Sequence, residues 1–379
     1  MPLRLFIAST LCLLLSVGAA DLAAQNIPKL SCGTCKATGY LPCPGKDHDP
    51  KKMCGLTTPH DCDVVYRAPC CNGTLKKLCD KCKDPAAAAA LEADRNERAQ
   101  WVQRQADFGK DTAIQFVNVE TEHFIARWSI PRWRIGQETL GRNKASHVFI
   151  KRCEEVATKF EKLTGSLPVQ KQAIYFTDSG EENMKVTLVK MGGGRKSTFR
   201  FYGLAGQVVQ WPDPIGGMDT DEGYHAHTVH NAAHLLTQAS VAYQMKLAAW
   251  LDEGLAHWFE REMFGKQRTY CFHEVQAKDA WQDADWKKKM YGEVFGKDED
   301  NFASVTAMDL DRLTYRHRAH AWCFVDYLAK SAPEKFKTFF TLMKRKNDTK
   351  EALDEAYGLS MAKFHEEWRA WVLKNYVTK

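Results

Sequence analysis

The apolar positions change character three times along the chain. Leu5 to Val17 is an almost unbroken apolar run, set behind the positive Met1–Arg4 segment and ahead of the small residues Gly18-Ala-Ala20. That order is the pattern of a secretory signal peptide over residues 1–20, with cleavage expected after Ala20 or Ala24, and the run is too short for a membrane span. Residues 25–83 form a cysteine-rich module. Residues 84–112 read as a helical linker that spaces or joins two units, with Asp84 at the cap, Pro85 in the first turn and an alanine run behind them. From Ile114 the pattern predicts strands, first around Phe116, Val117 and Val119, then over Phe124–Trp128. A long amphipathic helix follows over Ser146–Leu163, then a strand over Gln172–Thr177, a loop at Gly192-Gly-Gly194, and further strands over Phe199–Tyr202 and Gly206–Trp211. Beyond Glu253 the chain reads as mainly helical. Strands followed by helices predict an α+β domain over residues 113–379, with any site at their junction.

Composition narrows the function classes. An apolar fraction of 44% permits a real core, and no later run reaches the roughly 18 apolar residues of a membrane helix, so no membrane insertion is expected. The net charge of +6 is diluted over a long chain with many acidic residues and no aromatic-plus-basic motif, which argues against a nucleic-acid partner. The expected location is secreted or periplasmic. A peptide or protein partner stays open, and the oligomeric state is unknown.

The chemistry concentrates in His230-Asn-Ala-Ala-His234 and Trp250-Leu-Asp-Glu253-Gly-Leu-Ala256. Two histidines four apart on a helix share a face, so their imidazoles can converge on one cation. Eighteen residues separate His234 from Glu253, enough to finish a helix, turn, and bring a carboxylate back on a second helix. His230, His234 and Glu253 then make a two-histidine, one-carboxylate metal set with a fourth position open. Zinc suits it, although copper or nickel could occupy the same ligands.

This arrangement resembles the gluzincin metallopeptidases, especially the aminopeptidase-like branch, where the pattern is H-E-x-x-H, eighteen residues, then a Glu inside W-L-x-E-G-x-A. The match covers about thirty residues, and the resemblance implies a gluzincin-like α+β fold and peptide hydrolysis at zinc. Two departures stand out. The family's general-base Glu is replaced by Asn231, which cannot accept a proton at neutral pH. Arg318 stands where the family's transition-state tyrosine is expected, with Tyr315 one turn earlier as a substitute. Arg318 could also stabilise an oxyanion. The resulting expectation is a secreted zinc-binding protein of metallopeptidase-like fold with impaired or lost peptidase activity. The alternative is an active metallohydrolase with a relocated base, His227 or Glu222. His227, His230 and His234 fall at i, i+3 and i+7, which makes His227 a fourth ligand, a base, or a residue that caps or solvates the helix start behind Asp219-Thr-Asp221-Glu222. His225 adds another imidazole ahead of the motif, and His257 reads as a supporting or surface residue.

Nine cysteines fall between Cys32 and Cys82, which marks the module as a separate unit. Cys32-Gly-Thr-Cys35 and Cys79-Asp-Lys-Cys82 bracket it, the spacing of a zinc-ribbon-like tetrathiolate site, with Cys43, Cys54, Cys62, Cys70 and Cys71 between. The segment resembles in part the cysteine-rich zinc region of DnaJ-type chaperones, which opens a further reading in which the module binds partners or extended peptides. A disulfide framework is the competing reading, since export favours it. Cys153, Cys271 and Cys323 read as buried small hydrophobes.

Overall fold

The structure is a computed structural model that describes residues 32–43, 54, 56, 60–66, 71, 74–203, 205–239, 247–269, 281 and 284–376. The signal-peptide reading, Cys70 and Cys271 lie outside the described residues. The chain begins with β1 (Tyr40–Pro42), β2 (Asp61–Cys62), the one-turn helix α1 (Asp63–Tyr66) and β3 (Lys76–Leu78), then helix α2 (Pro85–Thr112). Asp84 caps α2 by accepting the N–H of Ala86, as the Asp-Pro start predicts. Next come β4 (Val117–Glu120), β5 (Phe124–Trp128), β6 (Arg132–Ile135), β7 (Glu138–Gly141), α3 (Arg142–Thr164), β8 (Gln172–Phe176), α4 (Gly180–Met191), β9 (Phe199–Phe201) and β10 (Gln207–Gln210). Helices complete the chain: α5 (Asp221–Ala239), α6 (Ala249–Phe264), α7 (Trp286–Gly296), α8 (Phe302–Thr306), α9 (Tyr315–Ser331), α10 (Pro333–Lys346), α11 (Thr349–Tyr357) and α12 (Met361–Asn375). The class is mixed α+β, with the strands ahead of the helical half. Among the described residues no helix is long and apolar enough to cross a membrane.

The main sheet runs in the order β2-β4-β5-β8-β10-β9, with β5, β8 and β10 parallel and the outer pairings antiparallel. Side chains alternate across a strand, so a sheet covered on both faces buries every position of its central strand. β8 does this: Ile174 and Phe176 enter the main core with Trp128 and Phe149, while Ala173 and Tyr175 face a second cluster with Phe108 of α2 and Val186 of α4. Helix α2 is therefore part of the packing and not a free spacer. Its Trp101 also donates to Glu120 of β4 at 2.8 Å.

The cysteine-rich module is likewise not a separate unit throughout. β2 extends the main sheet by pairing with β4, and Cys54, Leu56, Cys62 and Val65 belong to the main core. Asp63 accepts from both the backbone and the side-chain nitrogen of Asn118, at 2.8 and 2.9 Å. The packing boundary thus falls inside residues 25–83, because that stretch supplies apolar side chains that the large domain buries.

Three helices position the centre. α6 packs between α5 and α9. Gly254 permits the close approach to α9, since a Cβ there would stand 2.7 Å from the carbonyl oxygen of Ala321. α5 is buried from Gly223 to Gln238 apart from the half-buried His225, with Gly223, Ala226, Ala232 and Ala233 letting neighbours approach closely. Its first turn is clamped by Asp221, which accepts two bonds from Arg152 of α3 at 2.7 and 2.8 Å and one from Trp133 at 2.9 Å. Its last turn is closed by the buried Lys344, whose ammonium donates to the carbonyls of Thr237 and Gln238 at 3.1 and 2.7 Å.

Candidate metal centre

α5 carries His227, His230, Asn231 and His234, and α6 carries Asp252, Glu253, His257 and Glu260. His230 and His234, one turn apart, bring their Nε2 atoms to 3.1 Å, and His234 Nε2 lies 3.8 Å from Glu253 Oε1. Both imidazoles and the carboxylate are almost completely buried. The group of this centre whose ligand atoms all lie within 4.8 Å of one another is His230, Glu253 and His257. His257 is thus neither a surface residue nor remote: its ring centroid sits 4.8 Å from that of His230.

The far sides of these rings explain their orientation. His234 Nδ1 lies 2.9 Å from Asp252 Oδ1. His230 Nδ1 and His257 Nδ1 lie 3.5 and 3.4 Å from the same oxygen of Glu260. Glu260 is held in turn by the backbone N–H of Thr269 at 2.7 Å and by that of Arg268. Metal-ligating histidines characteristically turn their other nitrogen to a carboxylate, which fixes the tautomer. The Nε2 atoms of His230 and His234 face each other across 3.1 Å, within reach of one shared cation.

Electrostatics agree with this arrangement. Burial lowers the pKa of His230 and His234 and keeps the rings neutral, the form that ligates. Burial alone would raise the Glu253 carboxyl, yet Arg318, with His234 and Arg200 behind it, holds it well below the usual carboxylate range. Glu260 is held near about 2 against the same burial by its contacts with His230 and His257. Asp252 is raised to about 7 by burial and by the charge of Glu253.

Asn231 sits inside a closed hydrogen-bond chain. Arg200 of β9 donates to Asn231 Oδ1 at 2.9 Å, Asn231 Nδ2 donates to Gln210 Oε1 at 2.9 Å, and Gln210 Nε2 donates to Thr228 Oγ1 at 2.9 Å. Arg200 comes from an edge strand far from the motif in sequence, and no spacing in the chain announces it. Arg318, buried on α9, gives its Nε to Glu253 Oε2 at 3.3 Å and its Nη1 to the Leu313 carbonyl. It therefore touches the ligand carboxylate. Tyr315 is buried one turn earlier on the same helix. His227 is in the second turn of α5 and not at a cap; its Nε2 lies 3.0 Å from Thr198 Oγ1, and burial, His230 and Arg200 lower its pKa to about 3. Glu222 is exposed and paired with Arg268. His225 packs edge-on against Phe264.

In the module, Cys32, Cys35, Cys79 and Cys82 do converge, with Sγ atoms 3.8 Å apart for Cys32–Cys79 and 3.6 Å for Cys35–Cys82. A tetrahedral thiolate site with bonds of about 2.3 Å has an edge of about 3.8 Å. The antiparallel pairing of β1 with β3 brings the two pairs together, and Cys79 N–H bonds the carbonyl of Gly39 at 2.9 Å. Backbone N–H groups of Cys35 and Thr34 draw the Cys32 thiol down to about 6, whereas burial and the neighbouring thiols push Cys82 up to about 12. No disulfide joins Cys32, Cys35, Cys54, Cys62, Cys79 or Cys82 in the structure. Cys153 and Cys323 are buried thiols in the core, as expected.

Asp252, Glu260 and Arg200 are the residues that sequence reading missed. Glu260 carried a weak signal, since it follows Glu253 by seven residues and His257 by three, both on the same helical face. Compared with known proteins, the chain matches no protein-family model and no curated protein.

Proposed function

We propose that this chain is an exported zinc-binding protein with a gluzincin-like domain, whose centre holds its ion through His230, His234 and Glu253 and hydrolyses peptides poorly or not at all. A tetrathiolate zinc at Cys32, Cys35, Cys79 and Cys82 orders the module. When bound, zinc in the large domain supplies Lewis acidity. The chain's own residues provide the ligands, their carboxylate supports and a neutral amide where a base is required.

The observation that carries this reading is the environment of Asn231. Its oxygen already accepts from the Arg200 guanidinium and its nitrogen already donates to Gln210. Position 231 therefore offers no proton acceptor, and its surroundings are wired around a neutral side chain. The relocated-base alternative draws little support from the geometry. His227 is so weak a base at about 3 that it has little driving force to take a proton at neutral pH, and Glu222 is tied to Arg268 at the surface.

The test is turnover of a fluorogenic peptide library at equal zinc occupancy. Wild type is expected near background. Asn231→Glu restores the carboxylate, but Arg200 pairs with it and weakens it as a base, so the gain is small. The double variant Asn231→Glu, Arg200→Gln should gain more, within the roughly 10² to 10⁴-fold that general bases contribute. Zinc should be lost from the large domain in the His230→Ala, His234→Ala double variant and retained in His257→Ala. Full occupancy in the first sinks the ligand assignment. Robust zinc-dependent cleavage by wild type that disappears in His227→Ala or Glu222→Gln overturns the functional reading.

A further inference from the structure

Cys54, His60, Cys62 and His147 converge where the N-terminal module meets α3, and we propose that they form a closed Cys2His2 zinc centre that staples the module to the large domain. The inference is independent of what the His230 centre does.

The ligand atoms of these four side chains all lie within 4.8 Å of one another, and Cys54, Cys62 and His147 are buried. The two sulfurs are 3.6 Å apart. That is close to the tetrahedral edge of about 3.8 Å and far longer than the roughly 2.05 Å of a disulfide. The two imidazoles meet edge-on, with ring centroids 5.2 Å apart. Thiols in contact are common in a core, so the sulfur distance alone decides nothing.

The histidine from the large domain is the sharper observation. His147 Nδ1 is 2.6 Å from the carbonyl oxygen of Asn143, one turn back on α3, which assigns it the proton. Its Nε2 is then a bare acceptor, buried with no nitrogen or oxygen partner and beside the Cys62 thiol. A bound cation satisfies such a buried acceptor. The backbone tie to Asn143 is the outer support that orients a ligating imidazole.

The local chain conformation suits the same geometry. His60 immediately precedes β2 and Cys62 ends it, and their ligand atoms lie within 4.8 Å of each other. Pairing of Asp61 with Glu120 and of Cys62 with Val119 fixes β2 against the large domain. Cys54 returns from the preceding segment to the same point. Four protein ligands of two soft and two borderline types match zinc and leave no open position, so the centre is structural. Its mechanical effect follows from chain distance: His147 belongs to α3, whereas the other three ligands precede α2, so one ion cross-links two segments with the whole of α2 between them.

The experiment uses the full chain loaded with cadmium, observed by ¹¹³Cd NMR, where the shift reports the number of thiolate ligands. The expected spectrum contains a two-thiolate resonance beside the four-thiolate one. In zinc-loaded protein, His147→Gln should lose one equivalent of metal while the four-thiolate resonance of its cadmium form is unchanged. A wild-type spectrum without a two-thiolate resonance overturns the proposal even if His147→Gln fails to fold. A Cys54–Cys62 disulfide found by non-reducing peptide mapping overturns it too, as does an undiminished metal count in a folded His147→Gln.

Discussion

The tetrathiolate cluster and the His230 centre place their ligands in opposite ways. In the first, two C-x-x-C turns and a three-residue antiparallel strand pair hold the sulfurs, and Cys32 and Cys82 remain partly exposed. In the second, three long packed helices hold the side chains, and every imidazole nitrogen turned away from the site faces a buried or half-buried carboxylate. On the proposed reading, the first site depends on an ion for its order and the second does not. Small units with little core depend on a metal or disulfides for order, whereas a large hydrophobic core does not.

Chelation should break the pair apart, and this is the largest effect expected. Removing metal from the full chain should erase protection from hydrogen exchange across residues 32–43 and 74–83, while the helices of the large domain keep theirs. Equal loss of protection in both regions would mean that the two centres do not differ in this way.

Gly254→Ala sharpens the comparison from the other side, because it disturbs the preformed centre and leaves the cysteines untouched. The obstacle to the new methyl is the backbone carbonyl of Ala321, which cannot rotate away. A cost of about 3 kcal/mol, the upper part of the overpacking range, should appear in denaturant unfolding. α6 must also shift relative to α9, so Glu253 should part from Arg318 and zinc affinity in the large domain should fall. A variant as stable as wild type would show that the helices are not in close contact there.

The smallest effect is an acid response of the large domain that does not require metal. His320 is buried, with Nδ1 2.9 Å from the Arg316 carbonyl and Nε2 accepting the N–H of Asp300 at 3.2 Å. Burial lowers its pKa to about 4, even with Asp300 and, 3.4 Å away, Glu293 nearby. Unfolded, it titrates near about 6.5. The unfolded chain therefore binds a proton that the folded chain refuses between those values, and stability falls as pH drops through that window. The share of the loss due to His320 amounts to about 2 kcal/mol at pH 5. Unfolding of chelated protein at pH 7 and pH 5 measures the total, to which His227 also contributes, and His320→Asn should reduce it by that share. An unchanged difference would assign the acid response to other groups.

The parts of this molecule legible in the sequence are those whose physics is local. The alternation over Phe124–Trp128, the strand at Gln172–Phe176 and the amphipathic helix now bounded at Arg142–Thr164 follow from periodicity. The convergence of the four module cysteines follows from C-x-x-C spacing. β2 was not legible, because two residues inside a cysteine-rich stretch carry no period and acquire a strand only by pairing with β4. The Asn231 lock was equally hidden. It depends on an edge strand delivering Arg200 beside α5, and that contact is tertiary. The spacing did bring His230, His234 and Glu253 together, but it could not reveal His257 within the group, since its burial depends on α7 setting Trp286 against the ring at 5.0 Å.

Asp221 and Lys344 fasten the two ends of α5, and their effect reaches the thermodynamics of the ion. A helix pinned at its first turn by Arg152 and Trp133, and at its last by a buried ammonium, cannot slide or rotate to meet a ligand. Metal uptake there should proceed with little change in protein conformation. The free energy of coordination then goes to affinity and is not consumed in ordering the chain.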